Sequence, residues 1–245
     1  MTQLLLNATW LEQGILTGSA AYQCLDAWNA GPRAAGLQLL LTESSSSWDW
    51  QLPPPAQNSM LHTLFTLAEL GQYAASGVGM VARWAFSESS PFATLRQNSS
   101  SGVWEAAADF WILLAHKRAV GAGVLAAAPA LPAAATGVLL YAHCSQHGNG
   151  SVALTAVNTG AEAAELALNL PAAPRLQYVL TAPGGDLAAT APVLNGGSQG
   201  LQLQADGSLP PSFQPLYVAQ GAITLPPRSA AVYVLLQGGA AACGA

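Results

Sequence analysis

The chain has 245 residues, of which 51% are hydrophobic and only 8% charged, with a formal net charge of −5. That composition supports a packed core and excludes a disordered chain. The seven Lys and Arg are scattered, which leaves no footprint for nucleic acid and argues against a highly sulfated polymer as preferred ligand.

Met1-Thr2-Gln3-Leu4-Leu5-Leu6 lacks the basic start and the long apolar run of a signal peptide. Residues 8–30 carry apolar positions at helical spacing and stop at Gly31-Pro32, which predicts a helix. Leu37–Thr42 is a short apolar run of the kind that forms a buried strand. It ends on Glu43 and breaks into Ser44-Ser45-Ser46-Ser47. A (β/α) barrel presents a catalytic acid in this way, on the C-terminal tip of a strand. Past that loop comes Trp48-Asp49-Trp50, whose indoles either stack on a sugar ring or pack against protein. Residues 58–75, with Leu61, Leu64, Phe65 and Ala68 on one face, predict a helix ending near Gly77. Gly79–Phe86 reads as a second buried strand. Residues 103–119 predict the strongest helix, with Trp104, Ala107, Phe110, Trp111 and Leu114 on one side. The order α-β-α-β-α suits a barrel segment or an open parallel sheet.

Beyond residue 122 the helical signal fades. Val138–His143, Ser151–Val157, Ala163–Leu168, Leu176–Leu180, Leu201–Gln204 and Ser229–Leu236 are short strand-like runs separated by Gly, Pro and Asn. They predict an antiparallel β-sandwich. Residues 119–161 contain no charged side chain. Pro129, Pro132 and several Gly interrupt that stretch, so it reads as a linker and first strands rather than a transmembrane helix. Any membrane association would have to arise some other way.

The candidate chemistry is sparse. Glu43 is the leading carboxylate, and a solvated strand-end Glu is its bland alternative. Glu88 follows the second strand and is a weaker candidate for a partner acid, since a retaining glycosidase needs two carboxyls about 5–5.5 Å apart. His143 in a strand is read as structural. His62, His116 and His147 lack partner spacing. No phosphate loop, Ser-His-Asp order or metal cluster stands out, so no metal and no cofactor is expected. Cys24, Cys144 and Cys243 fit no zinc motif. With sequons at Asn7, Asn98 and Asn149, they lean towards a secreted or lysosomal (vacuolar) setting.

Several segments together resemble the heparanase family, glycoside hydrolase family 79. Leu40-Leu41-Thr42-Glu43-Ser44-Ser45-Ser46 is similar to that family's Trp-Leu-Gly-Glu-Thr-Ser-Ser. Asp109-Phe110-Trp111 with His116-Lys117-Arg118-Ala119-Val120-Gly121 resembles its Asp-Tyr-Trp helix and Lys-Lys-Leu-Val-Gly end. Tyr141-Ala142-His143-Cys144 resembles Tyr-Leu-His-Cys, and Ala241-Ala242-Cys243 resembles Ala-Ala-Cys. Ser208-Leu209-Pro210-Pro211 and Leu225-Pro226-Pro227 fall where the family has similar proline turns.

The resemblance implies a partial (β/α)8 barrel, residues 1–121, followed by an antiparallel β-sandwich, residues 122–245. It implies retaining hydrolysis of β-glucuronide links in a glycan substrate, with Glu43 as nucleophile; Arg83 and Trp84 at the family's Arg-Gln position, and Trp48 of the indole pair, are the candidate substrate contacts. It implies a Cys144–Cys243 bridge with Cys24 free. The chain departs from the family pattern in three places. It has no Asn-Glu dipeptide, the segment in which the family carries its proton donor. Arg83-Trp84 stands for Arg-Gln, and Ser90-Pro91-Phe92 for Gly-Asn-Tyr. The expectation is therefore a nucleophile half whose earlier barrel strands come from a missing N-terminal segment. The alternatives are a non-catalytic carbohydrate-binding or structural fragment, and another glycosidase family that shares barrel and sandwich.

Overall fold

The computed structural model describes residues 35–44, 58–87, 93–126, 137–168 and 173–244, with Leu25, Ala27, Trp28 and Gly31. Most of the helix expected over residues 8–30 lies outside the described residues; Leu25, Ala27 and Trp28 are helical.

Strand β1 (Leu40–Ser44), helix α1 (Met60–Ala75) and strand β2 (Met80–Arg83) form one β-α-β unit. The two strands pair in parallel, Leu40 with Met80 and Leu41 with Val81, then slip to Ser44 with Arg83. Parallel neighbours need a crossover, and α1 supplies it. The helix stops where the sequence predicts. Gly77 adopts φ 87°, its N–H reaches the Ala74 carbonyl, and the Val78 N–H reaches Tyr73. This is a Schellman cap, which needs a residue tolerant of left-handed backbone at that point. At the other end, the N–H groups of Met60 and Leu61 donate to the carbonyls of Ala189 and Leu187. Helix-start donors without an intrahelical partner are thereby satisfied by a distant loop.

The expected helix over residues 103–119 is shorter than its apolar pattern. Strand β3 (Leu95–Gln97) and strand β4 (Trp104–Ala106) form an antiparallel hairpin, and helix α2 (Ala108–Ala119) begins after it. Trp104 and Ala107 were expected on the helix face, but Trp104 sits in β4 and Ala107 is the helix N-cap. The two aromatic side chains of α2 mislead a periodicity count, because Trp104 continues their spacing by chance. Asp109 in the first turn and Lys117 and Arg118 in the last turn complement the helix dipole.

Helix α2 runs straight into β5 (Val120–Leu125). Strands β6 (Val138–Ser145), β7 (Val152–Asn158), β9 (Arg175–Thr181), β10 (Val193–Leu194), β11 (Leu216–Val218) and β13 (Ser229–Leu235) join β5 in a seven-stranded sheet. Its order is β10-β9-β13-β7-β6-β5, with β11 also on β9. All its pairings are antiparallel. The facing layer is smaller than a full sandwich. Among the described residues it holds only the pair β8 (Ala164–Leu166) and β12 (Ile223–Leu225). The strand expected over Leu201–Gln204 is not formed.

Two cores explain this arrangement. Along β13, Ala230, Val232 and Val234 face one cluster, and Ala231, Tyr233 and Leu235 face the other. The alternation follows from the two-residue period of a strand. The first cluster includes Leu64 and Leu67 of α1 and Trp111, Ile112 and Ala115 of α2. The second includes Leu166, Ile223 and Leu225. Every residue of β7 and β13 is buried, and removing a Val or Leu from water contributes about 1.5–3 kcal/mol. The helices therefore sit between the parallel pair and the large sheet. That placement explains why α1 is buried almost all round, rather than on one face as expected. A disulfide joins Cys144 in β6 to Cys243, Cα to Cα 5.2 Å, and ties the C-terminal segment to the sheet. Among the described residues, no helix is long and apolar enough to cross a membrane.

Candidate active site

Alternation along β1 sends Leu39 and Leu41 into the helix-side core and leaves Leu40 exposed. The register slip after Leu41 then places Thr42 and Glu43 together on the exposed side. Ser44 returns to the buried side. Glu43 is thus solvent-facing at the C-terminal end of a parallel strand. Trp84 follows the neighbouring strand directly, its N–H donating to the Ser44 carbonyl at 2.8 Å. It is 46% exposed, and Leu40, Met80 and Phe86 are exposed with it. The outer side of the parallel pair therefore carries one carboxylate among uncovered apolar groups.

Behind the strands lies a polar cluster that the sequence pattern did not show. Arg83 Nε donates to Asp109 Oδ2 at 3.0 Å, and Arg83 Nη2 lies 2.9 Å from His62 Nε2. His62 Nε2 is 3.3 Å from the same Asp109 oxygen. The Arg83 side chain is 10% exposed and Asp109 is fully buried. The guanidinium thus faces the helices. His62, read as lacking a partner, has two. Arg83 lies 21 positions from His62 and 26 from Asp109 along the chain, so no local spacing reveals the cluster. The available signal was a polar stripe, His62, Thr66 and Glu69, along one face of a largely apolar helix.

Electrostatics follow from burial. Loss of water pushes the His62 pKa below its ordinary value, with Asp109 opposing. Burial also works to raise Asp109, but His62 and Arg83 together outweigh it and hold that carboxyl below the ordinary range. A neutral His62 beside an Arg83–Asp109 ion pair is the consistent arrangement. Glu69 accepts a hydrogen bond from the Ser44 hydroxyl. Burial pushes its carboxyl up to about 7, against the Ser44 bond and the Arg83 charge. Glu69 has the proton-holding chemistry of a general acid, yet it is on the helix side, 5% exposed. Reach to the reacting proton decides such a role before pKa does. His116, packed edge-on against His143 with centroids 6.2 Å apart, is lowered to about 4 by burial and by His143.

Trp48, Asp49, Trp50, Glu88, Ser90, Pro91, Phe92 and Cys24 lie outside the described residues. Among the described residues, no group of three His, Cys, Asp or Glu is placed to hold a metal ion.

No protein-family model matches the chain, and no curated protein matches it. Solved structures do. A 4-O-α-L-rhamnosyl-β-D-glucuronidase from Fusarium oxysporum 12S superposes with a TM-score of 0.67 at 14% identity, over 96% of this chain and 50% of its own. An α-L-arabinofuranosidase from Thermotoga maritima gives 0.57 at 14% identity, over 94% and 49%. A family 51 arabinofuranosidase from Xanthomonas axonopodis pv. citri gives 0.50 at 19% identity, over 83% and 42%. The chain has a glycosidase-like fold and spans about half the length, or less, of these enzymes. One fold serving several glycosidic activities does not fix the sugar.

Proposed function

We propose that this chain is the nucleophile-bearing part of a retaining glycoside hydrolase of the heparanase-like, β-glucuronidase type. The single observation that supports this reading most is Glu43, exposed on the C-terminal end of a parallel strand, with Trp84 beside it at the end of the next. In that role a Glu43 oxygen attacks the anomeric carbon as the glycosidic bond breaks. The glycosyl ester so formed is later hydrolysed by water. The proton for the leaving group must come from a second carboxyl, on barrel strands supplied by a preceding segment. The exposed face of β1 and β2 is the surface such strands would cover. Arg83 positions the end of β2 by anchoring it to Asp109 and His62. The disulfide suits an oxidising compartment, in line with a secreted or lysosomal setting.

Two measurements test this. A 2-deoxy-2-fluoro-glucuronyl fluoride has a leaving group that needs little acid help, so it should label wild-type chain at Glu43 and leave Glu43→Gln unlabelled by peptide mass mapping. Turnover of an aryl β-glucuronide should be negligible, since an absent general acid removes roughly 10²–10⁴-fold. Labelling at another residue, or none, overturns the nucleophile assignment. Robust turnover abolished by Glu43→Gln overturns the missing-acid part and makes Glu88 the first suspect.

The missing donor also favours a second reading, a non-catalytic carbohydrate-binding module. Glycan binding that survives Glu43→Gln without any labelling is its signature.

A further inference from the structure

A cleft of about 360 Å³ separates the β3–β4 hairpin from residues 190–191 and 201–203 of the sheet region. None of its lining residues belongs to β1 or β2. It is at the small end of the range for small-molecule sites, about 300 Å³ and upward. Arg96 lines it from β3, Trp104 and Glu105 from β4, and Thr190 and Gln202 from the facing loops. Trp104 is 40% exposed there. Arg96 and Glu105 are directly paired across the hairpin, yet Glu105 Oε1 accepts from Asn98 Nδ2. The Arg96 Nε is shut off from solvent and has no hydrogen-bond partner among the described residues.

We propose that this cleft is a glycan-contact site separate from Glu43, taking an uncharged sugar ring of a polymer. The chemistry of the lining selects that class. An indole offers an apolar face for the C–H side of a ring. Arg96 donates to ring hydroxyls, Glu105 accepts from them, and Gln202 and Thr190 do both. Among the described lining residues, one positive and one negative side chain balance. A lone Arg would favour a carboxylate, but Glu105 opposite Arg96 repels one. The proposal rests on the cleft alone and does not need Glu43 to be a nucleophile.

Calorimetric titration of the full chain with xylohexaose, cellohexaose and trigalacturonate tests it. At least one neutral hexaose should bind more tightly than trigalacturonate. Trp104→Ala and Arg96→Gln should each weaken that binding about tenfold, the loss of one hydrogen bond or stacking contact. Unchanged thermal unfolding shows that the variants are folded, and Gln202→Ala replaces any that are not. Preference for trigalacturonate overturns the uncharged assignment. Binding abolished by Glu43→Gln and untouched by Trp104→Ala places the glycan at β1 and overturns the cleft. No binding of any of the three overturns the proposal outright.

Discussion

Replacing Glu69 by Gln should stabilise the chain, and only above a defined pH. Glu69 lies on α1 against Ser44, 5% exposed, with its carboxyl raised from an ordinary 4.5 to about 7 by burial. Below pH 4.5 both folded and unfolded chains hold the proton, and the fold carries no penalty. Between 4.5 and 7 the unfolded chain releases it first, so stability falls as pH rises through that window and levels off above it. At about 1.4 kcal/mol per pH unit, the loss at pH 8 is about 3 kcal/mol. Gln keeps the shape, still offers Ser44 an acceptor and carries no charge. Glu69→Gln should therefore exceed wild type by about 3 kcal/mol at pH 8 and match it at pH 4.5 or below. Urea unfolding at both pH values, followed by Trp fluorescence, measures the difference between differences, in which the separate titration of His116 cancels. A variant equally or less stable than wild type at pH 8 would refute the reasoning, and would show that Arg83 favours a charged Glu69 more than burial opposes it.

Two further outcomes test the packing. Gly71→Ala on α1 improves helix propensity by about 1 kcal/mol, but the new methyl group would overlap the Tyr141 ring of β6. A net loss of about 1–3 kcal/mol is expected from overpacking, read by thermal unfolding, and a gain would show that the helix does not press on the sheet there. Cys144→Ser opens a loop closed by residues 99 apart and should cost up to about 4–5 kcal/mol in the chain-entropy model. Unchanged stability, or a peptide map showing Cys24 in a bridge, rules the bond out as a structural tie.

The local signals were legible where local physics is sufficient. The strand ending near Glu43, the helix stopped by Gly77 and the alternating strands beyond residue 137 each follow from short-range patterns, but β1 and β2, expected to be buried, leave Leu40 and Met80 exposed. A strand buried on both faces reads as a continuous apolar run, so β7 and β13 were visible as elements. The resemblance of separate motifs also foresaw the Cys144–Cys243 bridge, which no spacing rule yields. What the sequence could not show is anything made by residues far apart. The extent of α1's burial, between the parallel pair and the large sheet, depends on which elements dock. The turning of Arg83 towards the helices depends on Asp109 and His62 meeting there, and the raised Glu69 carboxyl depends on water being excluded from that space. Strands as short as β3, β4 and β11 carry too few residues for a period to appear, so only pairing defines them. The cleft beside the β3–β4 hairpin is the same kind of feature. Arg96 and Trp104 are close neighbours in a hairpin, but Gln202, far along the chain, lines the same cleft only because of the tertiary fold.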